Sequence, residues 1–181
     1  LEANGQLAPG PPLAEAVARN GASGAFLGGS KKVTHAPEFL GVVESPEIMS
    51  FFEEFLEGPV LTFDYKWRRA VGPGSFTGAH YDVVYMGRGT LTLYTCWTPL
   101  GDVPFELGPL ALLHGSHRFD KIKATYGKMD VDRDHVEGWF TSDPIETVER
   151  YGGRWLTSGF EVGDALIFSM FTMHGSLRNT T

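Results

Sequence analysis

His80-Tyr81-Asp82 lies in AHYDVVYM, a run rich in strand-forming residues. Successive side chains of a strand point to opposite faces. The spacing therefore predicts that His80 and Asp82 share one face, about 6.6 Å apart along the chain, while Tyr81 takes the other. Such a pair can converge on one metal ion but cannot complete its protein ligand set. His174 is the third candidate, at the end of the apolar run ALIFSMF, which itself follows a turn at Gly163-Asp164. Two neutral imidazoles and one carboxylate on one face of an octahedral ion leave three positions open. That ligand set suits Fe(II) sites that bind an oxoacid chelate and dioxygen together. A His-x-Asp triplet alone is a common coincidence, and a half-buried strand histidine is more often hydrogen-bonded than ligated. The wider pattern has to decide.

Rival sites are weaker. His135-Val136-Glu137 repeats the His-x-carboxylate form, but its neighbours Asp130, Asp132, Arg133 and Asp134 mark a polar loop, which cannot fix ligand direction as a strand does. Asp130, Asp132 and Asp134 begin like a calcium loop, yet His135 stands at the turn glycine and Thr141 at the closing glutamate. A solvated acidic loop is the better reading. His114 and His117 sit three apart in LLHGSHRF, with no cysteine or further histidine nearby, and the Gly-Ser between them reads as a turn. No phosphate-binding glycine loop and no Gly-x-Ser-x-Gly elbow occurs.

The elements that must position these residues follow from local patterning. Ser45-Pro46-Glu47, then Ile48, Phe51, Phe52 and Phe55, combine a cap, a proline at the first helical position and apolar spacing of three and four. They predict a helix that ends before Gly58. From Val60 the chain turns to short runs rich in β-branched and aromatic residues: VLTFDYKW, AHYDVVYM, TLTLYTCW, PLALL, RWLTS and ALIFSMF. These predict strands of a mainly β sandwich or barrel-like jelly roll. Residues 1–32, rich in Ala, Gly and Pro, read as a loosely packed lead-in with one short helix over Leu13–Arg19. The polar stretch 116–145, carrying Trp139 and Phe140, is expected to be a lid loop.

Length and composition bound the answer further. A chain of 181 residues is about one domain, so 1–181 is expected to hold one site in one domain. Acidic residues outnumber basic ones 22 to 15, and Lys or Arg runs never exceed a pair, which argues against nucleic acid as a partner. Cys96 is the one cysteine, so no intrachain disulfide or thiolate cluster forms and a reducing, cytoplasmic setting is expected. No stretch approaches the ~20 apolar residues of a membrane span.

The stretch HYDVVYMGRGTLTLYTCWTPLGDVPFELGPLALLHGSHRF, followed by FEVGDALIFSMFTMHGSLRNTT, resembles the phytanoyl-CoA dioxygenase family over roughly residues 31–181. The landmarks run in order: a His-x-Asp strand, a strand ending near Trp97, an acidic turn into Gly-Pro-Leu, Gly-Ser-His, Gly-Asp, and a second His followed by Gly-Ser. The resemblance implies a double-stranded β-helix (jelly roll, cupin-like) with a few flanking helices. It also implies Fe(II) at His80, Asp82 and His174, 2-oxoglutarate as co-substrate, and dioxygen with a small-molecule substrate.

Ser176 would contact the oxoacid carboxylate, Trp97 would line the same pocket, and an upstream Lys-His pair maps onto Lys32 and His35, with Lys31 fitting nearly as well. The family's anchoring arginine falls about ten residues beyond the distal His, so it is expected beyond Thr181. Arg178, the guanidinium nearest after His174, is carried as a candidate co-substrate contact, although at four residues on it is expected in a turn. His114 stands where the family usually has proline. Relatives that halogenate lack the carboxylate, so Asp82 implies hydroxylation. Tyr65, Trp67, Arg68, Arg69, Tyr85 and Arg88 flank the proposed pocket strands. The alternatives are a non-catalytic jelly-roll binding module and a cupin-like metalloenzyme that uses no oxoacid.

Overall fold

The computed structural model describes residues 31–181. The helix expected over Leu13–Arg19 lies outside the described residues, as does nearly all of the lead-in. The chain packs as two compact units, one ending at Ala70 and one spanning Val71–Thr181.

In the first unit, α1 (Lys31–Thr34) and α2 (Pro37–Val43) precede α3 (Pro46–Phe55). The expected start signal of α3 is in place: the Ser45 hydroxyl accepts from the Ile48 amide at 3.3 Å and Pro46 opens the first turn. Glu57, at φ 56°, marks the chain's turn away from the helix. The phenylalanines of α3 pack on one another, Phe51 stacking on Phe55 at 5.8 Å, and no α3 residue is buried. VLTFDYKW, expected as a strand, forms none. Its Leu61, Phe63, Tyr65 and Trp67 are exposed, because no described strand pairs with it and its ladder groups lack partners of that kind. Local side-chain contacts hold it instead. Lys66 reaches Glu44 at 2.5 Å, and this contact keeps the Glu44 carboxyl below its ordinary range.

The second unit contains α4 (Val83–Met86), β1 (Tyr94–Trp97), β2 (Leu110–His114), α5 (Asp120–Ala124), α6 (Val131–Asp134), α7 (Pro144–Tyr151), β3 (Arg154–Thr157), β4 (Leu166–Ser169) and β5 (His174–Ser176). The strands form two antiparallel sheets, β1-β4 and β3-β2-β5. Register places Thr95 against Phe168 and Trp97 against Leu166 in the first sheet, and Leu112 against both Leu156 and His174 in the second. Leu110 of β2, Phe168 of β4 and Phe160 make one core, with Trp97, Leu112 and Leu166 packed on it, so the two sheets face each other across these side chains. A second core lies on the other side of the ligand-bearing segment and contains Ala79, Tyr81, Val84, Leu113, Met170 and Met173.

Of the expected strands, PLALL, RWLTS and ALIFSMF supply β2, β3 and β4, and TLTLYTCW contributes only its last four residues. AHYDVVYM is no continuous strand: after bridges at Ala79 and His80 it turns into α4. Among the described residues helical segments exceed strands, so what the structure carries of the mainly β expectation is the pair of sheets. Short helices win where carboxylates cap them. Asp130 accepts from the Asp132 and Arg133 amides, and Asp143 from Ile145 and Glu146. Asp143-Pro144-Ile145-Glu146 repeats the start signal of α3, which makes α7 readable from sequence.

Residues 116–145, expected as a lid loop, carry short helices and buried side chains. Ser116, Ile122 and Tyr126 are buried, and Phe140 packs on the Tyr126 and Tyr151 rings. The polar letters hide a buried hydrogen-bond relay that no composition argument could see. The Tyr81 hydroxyl donates to the Ser116 carbonyl at 2.7 Å, and the Tyr126 hydroxyl accepts from the Tyr81 amide at 3.3 Å while donating to the Gly138 carbonyl. Burial pushes both phenols above their ordinary range, so both stay protonated and able to donate. Tyr126→Phe is expected to cost about 1–3 kcal/mol, because it leaves a buried amide and a buried carbonyl without this partner. At about 2–4 °C per kcal/mol the melting temperature should fall by several degrees in thermal unfolding. A variant melting with the parent would show that the relay carries no stability.

Candidate metal centre

The site grows out of a backbone pairing. His80 and His174 are directly opposed across an antiparallel bridge: the His80 amide donates to the His174 carbonyl at 2.9 Å, and the return bond is 3.0 Å. Opposed residues of an antiparallel pair project to the same face, so the two imidazoles leave the backbone together, and their ring centroids lie 4.2 Å apart. Each ring is then oriented by the chain two residues before it. His80 Nδ1 lies 2.9 Å from the Gly78 carbonyl, and His174 Nδ1 lies 3.0 Å from the Thr172 carbonyl. A carbonyl can only accept, so the proton of each neutral ring sits on Nδ1 and the Nε2 lone pair is directed inward.

Asp82 arrives differently from the strand geometry expected. Its backbone is right-handed helical (φ −65°, ψ −26°), at the start of α4. This turn, rather than period-two alternation, swings the carboxylate back beside the rings. Asp82 Oδ1 lies 3.7 Å from His80 Nε2 and 3.5 Å from His174 Nε2. The other oxygen, Oδ2, accepts from the Thr95 hydroxyl of β1 at 2.5 Å. All three candidate ligand atoms fall within 4.8 Å of one another, and all three residues are buried. Metal bonds of about 2.1 Å place cis donors roughly 3 Å apart, so the three heads stand slightly wider than a facial set. The donor set fits Fe(II): two neutral nitrogens held in the metal-binding tautomer, one carboxylate oxygen, and no thiolate. Cys96 neighbours Thr95 but projects to the opposite face of β1, and burial pushes its thiol up, away from the thiolate a metal needs.

The walls come from both sheets. Phe168 lies 4.6 Å from the His174 ring, and Tyr85 meets the His80 ring edge-on at 5.5 Å. Trp97 shares a face of β1 with Thr95 and packs on Phe160 at 5.0 Å, which puts it on the site's side of the sheet. Ser176 shares a face of β5 with His174, and its hydroxyl accepts from the Thr77 amide at 2.8 Å. Tyr85 was among the residues expected to flank the pocket, whereas Thr95 and Phe168 were missed in the sequence. Thr95 was recoverable, since it stands two residues before Trp97 in one strand.

Arg178 is exposed in the stretch after β5, which forms neither strand nor turn; it donates to the Gly74 carbonyl and lies 4.7 Å over the Phe76 ring, so its guanidinium is engaged there. Lys32 is exposed on α1, and His35, just after it, meets Asp64 at 2.8 Å within the first unit. His135 is exposed at φ 53° after α6, so His135 and Glu137 do not form a ligand pair. The acidic loop is satisfied by cations of the chain itself: Arg88 Nε and Nη2 each reach Asp130 at 2.6 Å and Nη2 also reaches Asp132, while Arg133 takes Asp134. Arg88 holds the Asp130 carboxyl well below the usual carboxylate range. His114 is exposed at the end of β2, and His117 is bonded to Arg118 at 3.2 Å.

Paired imidazoles and a carboxylate between two small facing sheets define a class, that of non-haem iron enzymes with three coordination positions left for co-substrate and dioxygen. The family model for phytanoyl-CoA dioxygenase (PhyH) matches residues 14–181, and the chain belongs to that family of Fe(II)- and 2-oxoglutarate-dependent oxygenases. Among solved structures, the chain is similar to the non-heme alpha ketoglutarate dependent carbocyclase SnoK from nogalamycin biosynthesis (22% identity, TM-score 0.59, 80% of this chain and 54% of that one). It is also similar to EvdO2 from Micromonospora carbonacea var. aurantiaca (20%, 0.61, 92% and 68%). The same protein complexed with 2-oxoglutarate matches as well (21%, 0.57, 95% and 69%). At these identities the likeness is one of fold, and the chain spans about half the length of the carbocyclase. No curated protein sequence matches it. Among the described residues no helix is long and apolar enough to cross a membrane.

Proposed function

We propose that the protein is an Fe(II)- and 2-oxoglutarate-dependent dioxygenase that hydroxylates a small-molecule substrate, with His80, Asp82 and His174 as the metal ligands and the two sheets as part of a double-stranded β-helix. The observation that carries this reading is the shared focus of Asp82 Oδ1 and the two Nε2 atoms, with both Nδ1 atoms tied to backbone carbonyls. When bound, iron and 2-oxoglutarate together supply the oxidising power, consuming dioxygen and releasing succinate and carbon dioxide while one oxygen atom enters a substrate C–H bond.

The chain's own residues do the rest. His80 and His174 hold their tautomers through Gly78 and Thr172, and Asp82 supplies the charge that favours a dication. Phe168 and Trp97 keep water from the β1-β4 side, and Ser176, on the face of His174, is placed to meet the oxoacid carboxylate. The presence of Asp82, rather than a residue that would leave room for halide, supports hydroxylation. Tyr85 links the centre to an open cavity of about 360 Å³ lined also by Val131, Val136, Glu137 and Trp139, where we place the substrate. Arg88 is committed to Asp130 and Asp132. A reducing cytoplasmic setting belongs to the same reading, supported by a lone cysteine and an oxidisable ferrous centre.

The test is succinate release from 2-oxoglutarate by the purified protein with added Fe(II) and air. Turnover above metal-free and oxygen-free blanks is expected. No succinate, with iron bound, would favour a binding module, and oxygen uptake in the absence of 2-oxoglutarate would favour a cupin-like enzyme.

A further inference from the structure

We infer that Thr95 is the positioning residue that keeps Asp82 a one-oxygen ligand, and so keeps the third open coordination position available. This rests on the metal-site reading above. The two carboxylate oxygens of Asp82 face different partners: Oδ1 faces both imidazoles, and Oδ2 takes the Thr95 hydroxyl proton at 2.5 Å. A carboxylate whose two oxygens are equally available can chelate an ion through both, and the second oxygen then occupies a position that a bidentate oxoacid or dioxygen requires. A hydroxyl donor fixed on a strand removes that choice by engaging Oδ2 and fixing the carboxylate's rotation.

Asp82 needs such a device because of its backbone. It stands at the first turn of a four-residue helix, where its side chain makes no capping bond of its own. Neither a regular strand nor its own helix start sets its rotation. Thr95 can supply that constraint because β1 is held in register by β4, with Thr95 paired to Phe168, and Phe168 itself packs on the His174 ring at 4.6 Å. The donor and the aromatic wall that packs on His174 are thus fixed by a single sheet, while the carboxylate that Thr95 orients belongs to a segment 13 residues away in sequence. Outer hydrogen-bond partners of metal ligands commonly control affinity in this way.

The test compares Thr95→Val, which keeps the β-branched shape and removes the hydroxyl, with Thr95→Ser, which keeps the hydroxyl and removes the methyl. The purified metal-free proteins are titrated with Mn(II), and the Fe(II) forms are then titrated with 2-oxoglutarate and followed by absorption. Thr95→Val is expected to lose 10–100-fold in Mn(II) affinity, the range for loss of such a partner, and to bind 2-oxoglutarate more weakly. Thr95→Ser should stay within a few-fold of the parent on both counts. Parent-like Mn(II) binding by Thr95→Val, or an equal loss in Thr95→Ser, overturns the inference. Should Thr95→Val fail to fold by circular dichroism, Thr95→Ala is read against Thr95→Ser by the same criterion. Asp82→Ala separates the two levels. If it too leaves Mn(II) binding unchanged, the metal-site reading itself has failed. If it abolishes binding while Thr95→Val does not, only the role of Thr95 is lost.

Discussion

Asp82→Ala and His174→Ala should each abolish succinate formation and lower Mn(II) or Fe(II) affinity by more than about 100-fold, since even outer partners of metal ligands cost 10–100-fold. The reason is local and electrostatic. Asp82 is the one carboxylate in the buried triad, and removing it leaves two neutral imidazoles to hold a dication in a low-dielectric setting. His174→Ala leaves a carboxylate and a single ring, short of a facial set. The same titration on His135→Ala should match the parent, because His135 is exposed beyond the end of α6 and far from strand-like geometry. A His135 variant that loses iron while His174→Ala keeps it would overturn the ligand assignment. Neither triad substitution is expected to unfold the chain, so circular dichroism should remain parent-like and separate loss of metal from loss of fold.

Gly175→Ala is expected to damage both stability and the site, although the residue carries no functional group. A Cβ there would meet the Thr77 carbonyl oxygen at 2.7 Å and both the carbon and oxygen of the Gly78 carbonyl at 3.3 Å. These are backbone atoms, and this backbone makes the bonds that hold the imidazoles together: Ser176 N to Thr77 O at 3.0 Å, and the His80–His174 pair. Relief requires β5 to move away from residues 77–80, which separates the rings of His80 and His174. Overpacking of this kind costs about 1–3 kcal/mol. We expect a melting temperature lower by roughly 2–12 °C at about 2–4 °C per kcal/mol, together with loss of most metal affinity. Gly78→Ala is the informative contrast. Its nearest obstacle is the ring of the exposed Trp139 at 2.5 Å, with the Thr141 carbonyl oxygen next at 3.1 Å, so a side chain rather than the ring-pairing backbone takes the closest clash and the smaller effect is expected there. Equal melting temperatures for parent and Gly175→Ala would show that the close backbone approach is not needed.

The candidate metal ligands were legible in the sequence, for a physical reason. A metal centre needs particular ligand chemistries, and His80, Asp82 and His174 are rare enough in type and order, together with the turns around them, to be picked out. The helix at Pro46–Phe55 was readable because its cap, proline and apolar spacing are all within one short segment. The strands β2, β3 and β4 were readable from β-branched and aromatic runs. VLTFDYKW shows the limit of that signal: a run with strand composition makes no strand where no neighbour offers its backbone a ladder. The polar stretch 116–145 shows the opposite limit. Its composition gave no sign that Tyr126, Ser116 and Ile122 are buried, and the hydrogen bonds that hold Tyr126 and Ser116 reach Tyr81, 45 and 35 residues away in sequence.

The sequence by itself determined which atoms could ligate a metal, that two of them lie two residues apart, and to which family the chain is similar. Only the tertiary structure decided how those atoms meet. Strand alternation alone would not have aimed Asp82 as it is aimed: the helical turn at its own backbone brings it round, the hydroxyl of Thr95 from another sheet fixes its rotation, and a bridge between segments 94 residues apart sets the two rings side by side. Spacing along a chain constrains only neighbours, whereas the direction of a buried side chain is set by whatever packs and bonds against it, and those partners come from wherever the fold closes.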